Sequence, residues 1–462
     1  MAGAKAKKFN DMTVGPEWKC ILMFAIPIML GQLLQQLYST VDGIVVGNFV
    51  SEGALAAVGN CASMTMVFLA FSNGLSNGSG IIISQYFGAG RHKDMRTAAA
   101  NILLMMAALG IVMTVIGVLG AGFLTRGVLG IDDALIQHEA ETYLRIYAAG
   151  LLFTFLYNGV AATLRAVGDS KAVLYFLLVS TVVNTILDLL FVCKFGWGTA
   201  GAAWATVLSQ VACVAVSIWY MFHNYPVFRF EKLSELKFDA EKTKLCLKLG
   251  IPNMLQQLCV SCGHVLLQRL INSFGAVTMA AVAVGMRVDH YCSIPMMGVM
   301  TSMSSFAGQN TGAGHYDRVK RGAFRAILMS FFGISVICAL LYIFAAPLAG
   351  LFGVEGETLH RAVEYLRFIA FAFPVFALYI PLNGVFQGCG EPLAAAAVSL
   401  VALGVRVVMA YVLVLVFHFD YHALWTPYLM GWGVALFVAV GHFATGKWKT
   451  HAVVQKTAEA AE

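Results

Sequence analysis

The sequence predicts an all-α membrane protein: twelve transmembrane helices in two six-helix bundles related by a parallel pseudo-two-fold repeat. Three observations carry this expectation. Long stretches lack any charged residue, the links between them alternate between basic and acidic, and the second half of the chain repeats motifs of the first.

The chain has 462 residues, of which 59% are hydrophobic and only 12% charged, with a mean hydropathy of +0.77. Soluble domains carry roughly 25% charged residues. Residues 97–125, 195–222, 326–354 and 421–446 contain no Asp, Glu, Lys or Arg. Each run exceeds the roughly 20 residues that span a bilayer as a helix. Strands of a membrane barrel are about half as long and alternate in polarity, which these runs do not.

In order, the first segment (18–48) carries Ala25-Ile-Pro27 near its start and Asp42 near its end. The tail before it (1–17) is polar and basic, without the short apolar core and cleavage site of a removable signal peptide. The second segment (53–86) runs into Gln85-Tyr-Phe-Gly-Ala-Gly90, and the third (95–123) holds the first charge-free run. The fourth (134–165) carries Tyr143-Leu-Arg-Ile and ends at Leu164-Arg-Ala-Val-Gly-Asp169. The fifth (171–193) contains Asn184 and Asp188, and the sixth (199–222) lies in the second charge-free run. A polar linker (223–243) divides the chain almost in half. The seventh segment (244–273) opens on Gly250-Ile-Pro252, and the eighth (276–308) carries Asp289 and four methionines after Pro295 before reaching Gln309-Asn-Thr-Gly-Ala-Gly314. The ninth (318–346), tenth (357–388, with Tyr365-Leu-Arg-Phe), eleventh (393–417) and twelfth (423–446) complete the second half, and 447–462 forms a polar tail. The expected domains are therefore the tail 1–17, the bundle 18–222, the linker 223–243, the bundle 244–446 and the tail 447–462. Several segments exceed 25 residues, so tilt is expected.

Alternate links are basic. One side carries Lys5, Lys7, Lys8, Arg91, Lys93, Arg96, Arg229, Lys232, Lys237, Lys242, Arg318, Lys320 and Arg321, with Lys447, Lys449 and Lys456 at the end. The other carries Glu52, Asp132, Asp133, Glu355, Glu357 and Asp420. Positive charge stays on the cytoplasmic side, so both termini are expected in the cytoplasm of a cell plasma membrane. The net charge of +6 is then a topology signal, and no nucleic-acid partner is implied. The ten cysteines are scattered, and Cys259 and Cys262 share a helix face without partner ligands, so they read as small apolar core residues and not as a metal site.

The motifs of the two halves match at offsets of 222 to 225 residues: Ala25-Ile-Pro27 with Gly250-Ile-Pro252, Gln85–Gly90 with Gln309–Gly314, Tyr143 with Tyr365, and Asp169 with Glu391. Six spans per half is an even number, so both halves face the same way, about an axis along the membrane normal. Such a repeat fits alternating access. A channel would more often show pore-loop or ring signatures. Inside this frame Asp42 and Asp188 are unusual, since a carboxylate at membrane depth costs a few kcal/mol. They align with the uncharged Leu267 and Ala410, while Asn184 aligns with Arg406.

With Pro27 and Asp42 on the first helix, the Gly-Ala-Gly turns, Leu164-Arg-Ala-Val-Gly-Asp169 and the twelve-span repeat, the chain resembles the multidrug and toxic compound extrusion transporters over nearly its whole length. The resemblance implies a cation site of Asp42, Asn184, Asp188, Thr206 and the Ala202 carbonyl, with Gln35, Tyr143 and Asn158 nearby. It implies an antiporter that exports small amphipathic organic molecules or drugs by alternating access, needs no cofactor and acts as a monomer in the lipid bilayer. The spacing is compatible: Asn184 and Asp188, like Ala202 and Thr206, are four residues apart on one helix face. Two acids in a dry pocket titrate as a unit, so a proton could fill the site. Na⁺ could bind at Asp42, Asn184, Asp188 and Thr206, whose oxygens suit it. Pro27 could supply a bistable kink. Asp289 is either an ion-pair partner of Arg269, Arg287 or Arg406, or a substrate contact, as Arg269 and Arg287 also could be, and Met296 and Met300 are either core or an adaptable substrate surface. A flippase of a lipid-linked or polyprenyl substrate is the alternative. An integral-membrane transferase is disfavoured, because the acids are not clustered and His264 stands alone.

Overall fold

Charge-free apolar runs can bury their backbone polar groups in a bilayer only as helix, and helix is what they form. The computed structural model describes residues 10–50, 52–131, 133–229 and 238–454, without the side chains of 41–44, 48 and 52. Lys5, Lys7, Lys8, Asp132, Lys232, Lys237 and Lys456, which contribute to the charge alternation of the sequence, lie outside the described residues.

The helices are α1 (Glu17–Phe49), α2 (Glu52–Gly88), α3 (His92–Phe123), α4 (Ala134–Ala149), α5 (Leu151–Ala166), α6 (Ser170–Asp188), α7 (Gly198–Asn224), α8 (Ala240–Asn272), α9 (Gly275–Gly312), α10 (Tyr316–Ile343), α11 (Ala345–Gly350), α12 (Gly356–Gly388), α13 (Pro392–Leu415) and α14 (Thr426–Thr445). Taking α4 with α5 as one span, and setting aside the six-residue α11, twelve spans remain in the expected order. Among the described residues nine are long and apolar enough to cross a membrane on that ground alone, or ten with the α4–α5 pair. The two outside that count, α8 and α9, are 33 and 38 residues long and carry Gln256, Gln257, His264, Gln268, Arg269, Arg287 and Asp289.

Three local departures from regular helix fall in the first half of the chain, the first a π-helical turn at Leu124–Val128 after α3. The fourth segment, expected as one helix, bends by 46° between α4 and α5. Gly150 sits at the break, where a Cβ would stand 2.7 Å from the Val207 side chain on α7. The end of α6 also widens: beyond Asp188, residues Leu189–Lys194 form a π-helical turn, a distortion frequent at functional sites.

The two halves build their turns alike. After α2 the Arg91 N–H donates to the Tyr86 carbonyl at 3.0 Å, with Gly90 at φ +71°. After α9 the His315 N–H donates to the Asn310 carbonyl at 2.8 Å, with Gly314 at φ +78°. Only glycine adopts this left-handed conformation without cost, which is why Gly-Ala-Gly recurs. The turns after α5 and α12 match in the same way, through Asp169 N–H to Leu164 O and Glu391 N–H to Phe386 O, both 2.8 Å.

The chain divides into two compact units, but not where the linker suggests. One holds Leu30–Met254, the other Met12–Met29 and the chain from Leu255. The boundaries expected at 222 and 244 therefore move into the middle of α1 and α8. Close packing explains the shift. In the first unit Gly74 of α2 meets α8: a Cβ there would lie 2.5 Å from the Met254 backbone. In the second unit its repeat equivalent, Gly298 of α9, meets α1: a Cβ would lie 2.5 Å from Met29 Cγ. The start of α1 is fixed further by buried Glu17, which accepts from Arg325 at 2.6 Å and Arg321 at 3.1 Å on α10, with Arg318 at 3.7 Å. Small residues at such crossings let backbones approach, as membrane helices require. Large apolar side chains instead cover the outer faces, with Leu119 and Phe437 both 80% exposed, as suits contact with lipid. Of the cysteines read as core, Cys61 and Cys213 are buried, whereas Cys193, Cys259 and Cys262 are exposed.

Candidate functional site

The first unit gathers polar groups where α1, α6 and α7 pack. Asn184 and Asp188 on α6 and Ala202 and Thr206 on α7 are all buried, Asp188 completely. The Thr206 hydroxyl lies 3.1 Å from the Ala202 carbonyl, to which it donates, and 3.0 Å from the Tyr38 hydroxyl of α1. Among the described residues neither the Oδ1 nor the Nδ2 of Asn184 has a hydrogen-bond partner. A buried amide left this way costs folding free energy, so it wants a ligand.

A small apolar cluster sets the level of this site. Val46 of α1, Val192 beyond α6 and Ala202 of α7 pack together with Val45 and Ala54. Asp188 stands four residues before Val192, and Thr206 four after Ala202. Asp42 stands four before Val46 and four after Tyr38 in the same helix; its side chain lies outside the described residues. The three positions therefore fall about one helical turn from one cluster.

The neighbouring candidates sort differently. Tyr143 is 7% exposed and stacks on Tyr147 at 6.2 Å. The Asn158 amide donates to Ser72 Oγ on α2 at 2.8 Å. Gln35 is exposed, and Pro27 is buried in the part of α1 that belongs to the second unit. Tyr38 was missed by sequence reasoning. Its one available signal is its place one turn before Asp42.

In the second unit a cavity of about 10 Å³ is lined by residues of α8, α9, α12, α13 and α14 and by Leu424. Its polar lining is His264, Gln268, Tyr365, Arg406 and Tyr428. The Arg406 guanidinium sits 3.2 Å from the Tyr428 ring centroid, and Tyr365 donates to the Tyr428 hydroxyl at 3.3 Å. Asp289 faces Arg406 and the Tyr365 hydroxyl. Arg269 and Arg287, its other expected partners, are exposed, with Arg287 set over Phe352 at 5.9 Å. Met296 is buried in the core of this unit and Met300 packs half-buried against it. Among the described residues no group of three or more His, Cys, Asp or Glu is placed to hold a metal ion.

Comparison with known proteins agrees with this architecture. The family profile MatE matches residues 27–190 and 252–412. The two matched blocks begin on Pro27 and Pro252, the paired prolines of the repeat. "Probable multidrug resistance protein YpnP" of Bacillus subtilis (strain 168) is 30% identical over 453 residues, covering 96% of this chain and 98% of its own. "Probable multidrug resistance protein YoeA" of the same strain is 29% identical, covering 92% and 93%. The solved outward-facing structure of a multidrug resistance MATE family transporter of the MOP superfamily has the same fold, with a TM-score of 0.89 at 24% identity over 97% of this chain and all of that one. With two matched blocks spanning most of the sequence, the chain belongs to the MatE family and is a multi-pass membrane transporter, not an enzyme.

Proposed function

We propose that this transporter is a cation-coupled antiporter that exports small amphipathic organic molecules, as a monomer in the plasma membrane with both termini in the cytoplasm. The observation that carries the coupling site is the buried Asn184 amide, without a hydrogen-bond partner among the described residues, one turn from a fully buried Asp188. Hard oxygen donors of this kind, with the Thr206 hydroxyl and the Ala202 carbonyl, suit Na⁺, and the carboxylates equally take a proton. The names of the Bacillus relatives support export of drug-like molecules.

Each residue has its own part in this reading. Asp188 and Asp42 supply the negative charge that attracts the cation. Asn184 turns its oxygen to it, and Tyr38 and Thr206 tie α1 to α7 at the same level. Cation binding favours one conformation only if it binds that conformation more tightly. α1 is suited to carry that difference, since it runs from one unit into the other and holds Asp42 beyond Pro27.

The test is dye efflux from proteoliposomes under separately imposed Na⁺ and H⁺ gradients, with wild type, Asp42→Asn and Asp188→Asn. Gradient-driven efflux is expected to fall at least about tenfold in both variants, the loss of roughly 1.4 kcal/mol of coupling. Full efflux in both would overturn the site. Loss of wild-type efflux on removing Na⁺ at fixed pH identifies Na⁺ as the coupling ion.

A further inference from the structure

The cavity of the second unit occupies the repeat position of the aspartate site in the first. Tyr365, Arg406, Leu424 and Tyr428 line it. They stand 222 residues after Tyr143, Asn184, Ala202 and Thr206, and Leu267, also lining it, stands 225 after Asp42. One tyrosine is kept and every charge is changed. The acids at 42 and 188 become Leu267 and Ala410, and the amide at 184 becomes Arg406. We propose that this cavity is an anion subsite that receives the carboxylate head of an amphipathic organic substrate. The proposal rests on the reading of the chain as an exporter of such molecules, and adds the charge of their head group.

Arg406 carries the case. Among the described residues its buried Nε makes no hydrogen bond. Guanidinium stays protonated in proteins and offers a flat fork of donors that matches a carboxylate. Stacking on Tyr428 at 3.2 Å fixes the plane of that fork. Arg406 is half-buried, with Tyr428 on one side of its fork and Asp289 facing it without an ion pair, so the charge is incompletely compensated. An incoming anion completes the arrangement. His264, one turn before Gln268 on α8, brings a further ring nitrogen to the same wall. The space of about 10 Å³ admits one water-sized group, such as a carboxylate oxygen, and leaves the apolar remainder of the molecule outside.

The test is calorimetric titration of the purified full-length protein in detergent with 1-naphthoate, with its neutral methyl ester, and with sodium chloride and sodium acetate. Wild type is expected to bind 1-naphthoate and not the ester. Arg406→Gln is expected to weaken 1-naphthoate at least about tenfold, as loss of a charge-assisted hydrogen bond does, and Arg406→Lys to recover part of the loss. An unshifted far-UV spectrum and gel-filtration profile show that the variants fold, and the lysine variant keeps the test informative if the glutamine variant does not. No binding to wild type, equal binding to Arg406→Gln, or equal binding of the ester overturns the proposal. Chloride or acetate binding as tightly as 1-naphthoate also overturns it, by showing a site for free small anions. Binding is read here without any ion gradient, so an unchanged affinity in Arg406→Gln overturns the subsite alone, and full gradient-driven efflux in Asp188→Asn overturns the coupling site alone.

Discussion

Asn184 presents the sharpest contrast between stability and function at the scale of a single residue. A buried amide whose polar atoms have no partner among the described residues weakens the fold, so an apolar group of similar size should relieve it. Asn184→Leu is therefore expected to leave the melting temperature in detergent unchanged or raised, while gradient-driven efflux falls at least about tenfold. A structural asparagine would give the reverse: lower stability with coupling intact. A second residue acts outside the membrane. Asp239 caps α8, accepting from the Glu241 and Lys242 N–H groups at 3.1 Å each. The Lys242 N–H is the main cause that holds its carboxyl below the usual range. A depressed value means stability present above the unfolded value of about 3.9 and lost as pH falls through the folded one. Hydrogen exchange of the first α8 amides should therefore quicken as pH falls below about 4 in wild type. Asp239→Asn keeps an acceptor and should remove that pH dependence, while Asp239→Ala should fray the turn at every pH, a loss of about 1 kcal/mol.

Between elements, the glycines at the crossings decide stability, and the repeat makes two of them directly comparable. A Cβ at Gly74 meets the Met254 backbone, whereas a Cβ at Gly298 meets Cγ of the flexible Met29 side chain, each at 2.5 Å. Gly74→Ala should therefore lower the melting temperature clearly, by the roughly 1–3 kcal/mol of an overpacked contact, and Gly298→Ala by less. Equal losses would show that both crossings yield alike. This scale also shows why some elements were legible and others were not. The Gly-Ala-Gly turns could be read in advance because a left-handed residue needs glycine, and the structure has φ +71° and +78° at Gly90 and Gly314. The break at Gly150 could not, because glycine is common in membrane helices and nothing nearby marks this one. Its cause is Val207, 57 residues later, whose side chain takes the space a Cβ would need. The π-turn after Asp188 has no local sequence signal either.

Across the whole molecule, the order of spans and the repeat followed from the sequence, since both depend on composition and spacing alone. The division of α1 and α8 between units did not, because it falls inside unbroken helices where no polar stretch marks it. The candidate site was half legible: spacing paired Asn184 with Asp188, but Tyr38 and the level set by Val46, Val192 and Ala202 are tertiary facts. Orientation in the membrane governs the direction of antiport, and labelling can test it. Arg91 in the turn after α2 and Lys320 near the start of α10 are exposed, as are Asp133 before α4 and Glu355 before α12. Retention of basic residues in the cytoplasm assigns the first pair inside and the second outside. After replacement of the ten natural cysteines, Arg91→Cys and Lys320→Cys should react with a membrane-impermeant maleimide only in inverted vesicles. Asp133→Cys and Glu355→Cys should react in intact cells. The outcome fixes the depth of the coupling site as well. Asp188 lies 18 residues beyond Ser170 at the start of α6, roughly 27 Å along the helix axis. With the basic turns inside, that places it in the outer half, where cation entering from outside reaches it first. The opposite labelling pattern would put Asp188 in the cytoplasmic half and reverse the proposed direction of coupling.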